Sequence, residues 1–423
     1  MDSVLERLAA NPIILASVAV AAYAYALALY SRGGGDDQVE EDGRLDDLSF
    51  VLVVPCLNER QVIGATIDGL LQLEGDYLVL VVDDASDDGS IEALAPVMAD
   101  ERVLVVRREP PDARVGKGAV LNTAFQAVLK MGLLGQRSAD RTVLAVFDAD
   151  GRVDRDFLKR VSRFFADPRV AGVQSAVRMT NRRVNLLAFW QHLEFLVWGE
   201  VFSKAKDRLG SATLGGNGQC VRLSALLELG PEPWRASLTE DLDLSLRLIL
   251  GGWRIRFCPD AAVWQQAVPG LRRLLRQRAR WAQGHVASWQ YLPRLLRASQ
   301  PAVVRIDLAV FLLMPALFLP IGISTLSAWY GLLAAGAGWS LADLLGWYAL
   351  AFVTAPLVLG AWGRIGERRS IRAVVHAHAF VLYSLVWVTA FAIAVWYVIR
   401  GRRSWTKTSR AGERLSAMGG ADG

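Results

Sequence analysis

Three acidic motifs, Asp83-Asp84, Asp148-Ala149-Asp150 and Thr239-Glu240-Asp241, precede Gln277-Arg278-Ala279-Arg280-Trp281 and then strongly apolar sequence. In an extended backbone, alternation puts Asp148 and Asp150 on the same side of the chain. Two such carboxylates are hard oxygen ligands suited to Mg²⁺ or Mn²⁺ bridged to a diphosphate, with waters and phosphate oxygens filling the other positions. Asp83 and Asp84 end an apolar run and open into a turn-forming stretch. They either cap the helix that follows or accept hydrogen bonds from the base or ribose of a nucleotide. Thr239 could cap the helix-like run LDLSLRLILGG, with Glu240 serving its dipole, while Asp241 is suited to deprotonate a hydroxyl.

Glycines flank two further candidates. Lys117 sits in Val115-Gly116-Lys117-Gly118, where the backbone can approach closely and a lysine can meet a phosphate; the spacing is not that of a Walker loop. Gly215-Gly216-Asn217-Gly218 is a second turn of this kind, suited to lining a site where backbone approaches a ligand. Gln277, Arg280 and Trp281 lie within about one helical turn. They form either a basic helix anchored by an interfacial indole or a set that offers arginine to a diphosphate and an aromatic face to a sugar ring.

These residues need a scaffold. From Phe50 to about Phe257, short apolar runs (FVLVVPCL, YLVLVVDDA, RVLVVRRE, TVLAVFDAD) alternate with helix-like segments over 60–73, 90–99 and 118–134. Continuous apolar strands separated by helices imply a parallel sheet covered on both faces. Ligands of such sheets bind at the carboxyl ends of strands, where Asn58, Asp84, Asp148 and Asp150 fall.

The rest of the chain predicts a membrane. Mean hydropathy is +0.27 and 53% of the 423 residues are apolar, above the soluble norm. Residues 12–30 are uncharged and near the ~20 residues a spanning helix needs, and the mixed-charge head before them fits an uncleaved anchor. Residues 32–47 read as a linker and 284–304 as an interfacial helix region. Apolar spans are expected at 308–333, 345–362 and 374–399, with Pro315 and Pro320 kinking the first of them. Arginines crowd the last quarter, so the positive-inside bias places the tail in the cytosol and favours an interfacial or re-entrant course for 374–399. Net charge is +5, from 47 basic and 42 acidic residues, with no nucleic-acid module in view. Cys56, Cys220 and Cys258 lack metal or redox spacing and read as buried thiols, and the four histidines form no metal pattern. A metal here needs oxygen ligands.

Taken in order, PCLNE, VVDDASDDGS, GKGAVLN, FDADG, TED and QRARW resemble the membrane-integrated family 2 glycosyltransferases, the group of the cellulose, hyaluronan, chitin-oligosaccharide and poly-N-acetylglucosamine synthases. The resemblance covers roughly residues 48–285. It implies a GT-A α/β catalytic domain over 48–283 with α-helical transmembrane and interfacial helices, a UDP-sugar donor, Mg²⁺ or Mn²⁺, and inversion at the anomeric carbon. Carried over by motif, Glu59, Asp83 and Asp84 would serve the nucleoside, Lys117 the diphosphate, Asp148 and Asp150 the metal, and Asp241 would be the base with Glu240 beside it. Gly216, Asn217, Gln277, Arg280 and Trp281 would line the diphosphate and acceptor end. Trp405, Lys407, Thr408 and Arg410 in the 401–423 tail resemble a gating loop that closes over the donor.

Leu57 stands where many relatives place an aromatic residue against the base. A multi-pass protein of the plasma membrane with a cytosolic catalytic domain follows, its partners a nucleotide sugar, a glycan or lipid acceptor and the bilayer. The leading expectation is a processive synthase of a β-linked polysaccharide; the alternative is transfer of one sugar to a lipid. A scaffold that lost its reaction, and a nucleotidyltransferase, rank below both, because the acids are present and a nucleotidyltransferase has no need of the TED and QRARW elements.

Overall fold

The computed structural model describes residues 11–33, 45–130, 132, 138–333, 340–364 and 371–401. The gating-loop residues Trp405, Lys407, Thr408 and Arg410, and most of the 32–47 linker, lie outside the described residues. The chain divides into two compact units: residues 36–180 with 212–266 form one, and residues 1–35, 181–211 and 267–403 form the other. The expected 48–283 block therefore contributes 181–211 and the residues from Ala267 onward to the apolar helical unit.

The first unit is built on eight strands: β1 (Ser49–Cys56), β2 (Tyr77–Asp83), β3 (Val103–Arg107), β4 (Thr142–Val146), β5 (Arg152–Val153), β6 (Val170–Met179), β7 (Gln219–Arg222) and β8 (Arg254–Gln265). They form one sheet in the order β3-β2-β1-β4-β7-β6-β8-β5. The wholly parallel sheet expected from the apolar runs is corrected to a mixed one: β3, β2, β1 and β4 are parallel, but β7 runs antiparallel to both β4 and β6. The continuous apolar runs come from the parallel half, where both faces are covered. β7 is four residues long and follows a glycine turn, so it carried no such signal.

Phe50, Leu52, Val54, Val79, Val81, Val143, Ala145 and Phe147 are buried in the core of this sheet, with Phe147 edge-on to Phe157 at 5.3 Å. The Lys117–Lys130 helix packs through Val120, Leu121, Ala124, Phe125 and Val128, an i, i+1, i+4, i+5, i+8 stripe. Residues 60–73 hold the Ile63–Leu70 helix, whereas 90–99 contains only the 3₁₀ turn Glu92–Leu94. All three cysteines are free and buried, and burial pushes the thiol of Cys56 up to about 12 and that of Cys258 to about 11.

The second unit is helical. Among the described residues, three helices are long and apolar enough to cross a membrane: Pro12–Tyr30, Ala302–Leu333 and Ile371–Ile399. Leu344–Ala351 and Ala355–Arg364 form a pair bent by 58°. The bend lies in the expected 345–362 span, with its break at 352–354 just before Pro356, whereas 374–399, expected to take an interfacial or re-entrant course, falls within one continuous helix, Ile371–Ile399. It packs beside the arginine-rich Leu271–Ser288 helix, with Ala282 against Phe391 and Ala394. Pro315 and Pro320 both lie inside the Ala302–Leu333 helix.

Arg364 ties the bent pair to the first helix, donating to Ala28 O at 3.1 Å and to Ser31 Oγ at 2.9 Å. Lys206 and Asp307 form a buried ion pair whose carboxylate also accepts from the Tyr23 hydroxyl.

Candidate active site

The parallel register sets one edge of the sheet. Cys56 pairs with Asp83, Asp83 with Arg107, and Val53 with Val146, so the segments after β1, β2 and β4 leave on the same side. Asn58, Glu59, Asp84, Asp148 and Asp150 follow those three strands.

Lys117 opens its helix directly after Gly116, whose φ of +133° a side-chain-bearing residue rarely adopts. Its Nζ donates to Asp148 Oδ1 at 2.6 Å. Burial works against the ammonium charge, and the carboxylates of Asp148, Glu240 and Asp241 more than reverse that effect, so Lys117 titrates above its ordinary range. Gly216, at φ +82°, lies between these groups: a Cβ there would meet Asp241 Oδ2 at 3.2 Å and Lys117 Nζ at 3.7 Å. Glycine keeps open a space bordered by the lysine and the acid.

The glycine turn is itself held from the sheet. Asp148 N donates to Asn217 Oδ1 at 3.0 Å, Asn217 Nδ2 donates to Gln265 Oε1 at 2.8 Å, and Gln174 Nε2 donates to Asn217 O at 2.8 Å. Gly218 N donates to Val146 O at 2.8 Å, and any Cβ on Gly218 would collide with Ser175 at 2.1 Å. The Asn217 side chain therefore spends its amide on fixing Asp148. Asp150 Oδ2 accepts from Gln266 N at 3.2 Å. Gln174, Gln265 and Gln266 carried no sequence signal, because they matter only once β6 and β8 lie beside the turn.

Glu240 and Asp241 open the Glu240–Leu250 helix. Thr239 occupies the cap position but makes no side-chain cap bond, so the expected capping role falls away. The helix start is instead braced by Ser245, whose Oγ donates to Asp241 O at 2.7 Å and accepts from Leu214 N at 2.9 Å.

At the β2 end, Asp83 and Asp84 are fully or almost fully buried. Asp83 accepts from Ser86 N at 3.2 Å, closing a turn rather than capping a helix. Asp84 is ion-paired with the buried Arg108 and its Oδ1 accepts from Arg114 N at 2.9 Å. Glu59 is buried, with its N donating to Ser90 Oγ at 2.7 Å.

Gln277, Arg280 and Trp281 belong to the helical unit, on the Leu271–Ser288 helix. Their neighbour Arg278 is the deeply buried member: it donates to Glu194 Oε2 at 2.6 Å and lies 4.1 Å over the Trp281 ring. Burial disfavours its charge, and Glu194 overcomes this and holds the guanidinium above its usual range. Arg278 and Glu194 were not singled out from sequence.

Among the described residues no group of three or more His, Cys, Asp or Glu side chains is placed to hold a metal. The donor set still fits a Mg²⁺ or Mn²⁺ that takes most of its ligands from diphosphate and water. Asp148, whose carboxylate meets the Lys117 ammonium that borders the Gly216 space, and Asp150, two residues on, supply two carboxylates.

Comparison with known proteins bears on this arrangement. The family model described as "Glycosyltransferase like family 2" matches residues 48–284, more than half of the chain. A beta-monoglucosyldiacylglycerol synthase of Synechocystis sp. is 32% identical over 273 residues, covering 62% of this chain and 53% of its own. A poly-beta-1,6-N-acetyl-D-glucosamine synthase of Staphylococcus aureus is 26% identical over 244 residues, covering 57% of this chain and 55% of its own. The chain spans about half the length of the curated relatives it matches. In fold it is similar to a mannosyltransferase from Pyrobaculum calidifontis solved with GDP-Man and Mn²⁺, with a TM-score of 0.59 at 19% identity over 91% of this chain and 98% of the other. The α/β unit is thus a GT-A-like domain with a mixed sheet.

Proposed function

Since this chain belongs to glycosyltransferase family 2, we propose that it is a hexosyltransferase that transfers a single hexosyl residue, with inversion, from a nucleotide-diphosphate sugar to the hydroxyl of a lipid acceptor in the bilayer. The observation that carries the chemistry is the cluster around Gly216, where the Lys117 ammonium lies against Asp148 at 2.6 Å and Asp241 Oδ2 borders the same small space. A cation, an acid and an open gap between them are what a diphosphate leaving group and an attacking hydroxyl require.

In this reading Asp241 accepts the proton of the acceptor hydroxyl as its oxygen bonds to the anomeric carbon, and the electron pair of the broken bond departs with the diphosphate. Negative charge grows on the leaving oxygens, where Lys117 and the amino end of its helix stand ready to meet it. A Mg²⁺ or Mn²⁺ held by Asp148 and Asp150 would supply further positive charge at the diphosphate. Glu59, Asp83 and Asp84 serve the nucleoside, with Arg108 fixing the Asp84 carboxylate. Gly216 and Asn217 line the sugar, and Gln277, Arg280 and Trp281 meet the diphosphate and acceptor. The enzyme is a multi-pass protein of the plasma membrane with its α/β unit in the cytosol.

The lipid acceptor is preferred to the growing polysaccharide that ranked first on sequence alone. What supports it is the higher identity to the beta-monoglucosyldiacylglycerol synthase, 32% against 26% for the poly-N-acetylglucosamine synthase. The polysaccharide reading keeps the support of that second relative.

The test supplies the purified full chain in nanodiscs with Mg²⁺, radiolabelled UDP-glucose, UDP-N-acetylglucosamine or GDP-mannose, and lipids including diacylglycerol. Label in a lipid-extractable product carrying one sugar is expected. Label in high-mass, glycosidase-sensitive material would reinstate the polymer synthase.

A further inference from the structure

Arg278 lies at position two of the Gln277–Trp281 segment, between the residues singled out for chemistry, and has 1% side-chain exposure. It touches both ends of that segment: its Nη1 donates to Gln277 Oε1 at 2.8 Å, and its guanidinium carbon lies 4.1 Å from the centre of the Trp281 ring. The opposing acid is shared. Glu194 Oε2 accepts from Arg278 Nη2 at 2.6 Å and from the Tyr383 hydroxyl at 2.5 Å, and its Oε1 accepts from Trp387 Nε1 at 2.7 Å. Phe195 and Trp387 complete an aromatic box, with ring centres 5.8 and 5.5 Å from the guanidinium.

A plain structural ion pair needs neither the contact to Gln277 nor the stacking on Trp281. A planar guanidinium can stack on an indole while its edges donate in fixed directions, which the compact ammonium of lysine cannot reproduce. We infer that Arg278, held by Glu194, is a positioning residue that fixes Gln277 and Trp281 in the pose in which they meet the lipid acceptor, with Tyr383 and Trp387 of the Ile371–Ile399 helix as its outer support. The inference rests on the assignment of Gln277 and Trp281 to the acceptor end. It adds that the orientation of this pair is set by a charge network reaching into an apolar helix, so acceptor handling depends on residues distant in sequence.

The test compares wild type, Arg278→Lys, Glu194→Gln and Tyr383→Phe in nanodiscs with UDP-glucose and diacylglycerol, recording KM for each substrate, kcat and Tm. Arg278→Lys is expected to raise the diacylglycerol KM about tenfold while the UDP-glucose KM stays within about twofold, the pattern of a lost acceptor interaction. Tyr383→Phe removes one hydrogen bond to Glu194 and keeps the ion pair, so a smaller shift of the same kind is expected even where Arg278→Lys fails to fold. A fall in Tm with both KM values unchanged would overturn the inference and leave a structural ion pair.

A second readout is independent of turnover. In protein labelled with 5-fluorotryptophan, the Trp281 resonance, assigned by its loss in Trp281→Phe, should move in Arg278→Lys and Tyr383→Phe; a resonance that stays put overturns the inference. Wild-type protein that glucosylates no lipid would refute the proposed acceptor class, and the fluorine result would then decide the positioning role alone.

Discussion

Replacing Lys117 by methionine removes the ammonium that faces Asp148 and leaves a side chain of similar length. The Nζ to Oδ1 distance is 2.6 Å, with the side chains 18% and 33% exposed. Two unit charges about 4 Å apart attract by roughly 4 kcal/mol at an effective dielectric near 20, and partial exposure screens that figure. A hydrogen bond to a charged group contributes about 1.5–3 kcal/mol net. If Lys117 makes a bond of this kind to the donor diphosphate, its loss should lower kcat/KM for the nucleotide sugar by about 10- to 150-fold.

The same substitution acts in the opposite direction on the cation. Lys117 competes for Asp148, so a donor-free titration with Mn²⁺, followed by its paramagnetic relaxation of water, should reach half-saturation at a lower concentration in Lys117→Met. The pairing of weaker donor use with tighter donor-free cation binding is the signature. If both weaken together, or neither changes, the role assigned to the Lys117–Asp148 pair is wrong.

Asp241→Asn keeps the shape of the side chain and removes its basicity. Turnover should fall by about 10²-fold or more, while UDP binding measured by calorimetry stays near wild type; loss of UDP binding instead would mean that the acid serves the nucleotide. Gly216→Ala would force a Cβ at φ +82° to within 3.2 Å of Asp241 Oδ2. A left-handed backbone costs a non-glycine residue about 1–2 kcal/mol, so a modest fall in Tm should accompany a larger fall in kcat; wild-type turnover would show that the gap is not used.

His285 has its Nδ1 buried with no hydrogen-bond partner among the described residues and its ring edge-on to Phe311 at 4.9 Å. Burial, helped by the charge of Lys206, pushes it down to about 4. The unfolded chain takes up this proton near pH 6.5 and the folded one only near 4, so stability should rise with pH across that window and drop on acidification. Tm measured from pH 4 to 7 should show this slope in wild type and less of it in His285→Phe.

Sequence alone determined the parts whose signal is local. The runs FVLVVPCL, YLVLVVDDA and TVLAVFDAD are strands in any context that covers both faces, and the last two carry acids just past their carboxyl ends, so Asp84, Asp148 and Asp150 could be named before any coordinates. The apolar lengths of 12–30, 308–333 and 374–399 follow from hydropathy in the same way.

Tertiary structure decided what depends on partners distant along the chain. β7 pairs antiparallel with β4, a strand more than 60 residues earlier, and only with β6 and β8 in the same sheet do Gln174, Gln265 and Asn217 converge to fix Asp148. Thr239 looked like a cap, yet Ser245 takes over the bracing of that helix through a bond to Leu214 that no local pattern encodes. Arg278 shows the same division most plainly. As one arginine among several in QRARW it is indistinguishable from its neighbours, and its burial follows from Glu194, 84 residues earlier, and Tyr383, 105 residues later, closing around it. A charge can be buried only where an opposite charge and hydrogen-bond partners meet it, and those partners come together only in the fold.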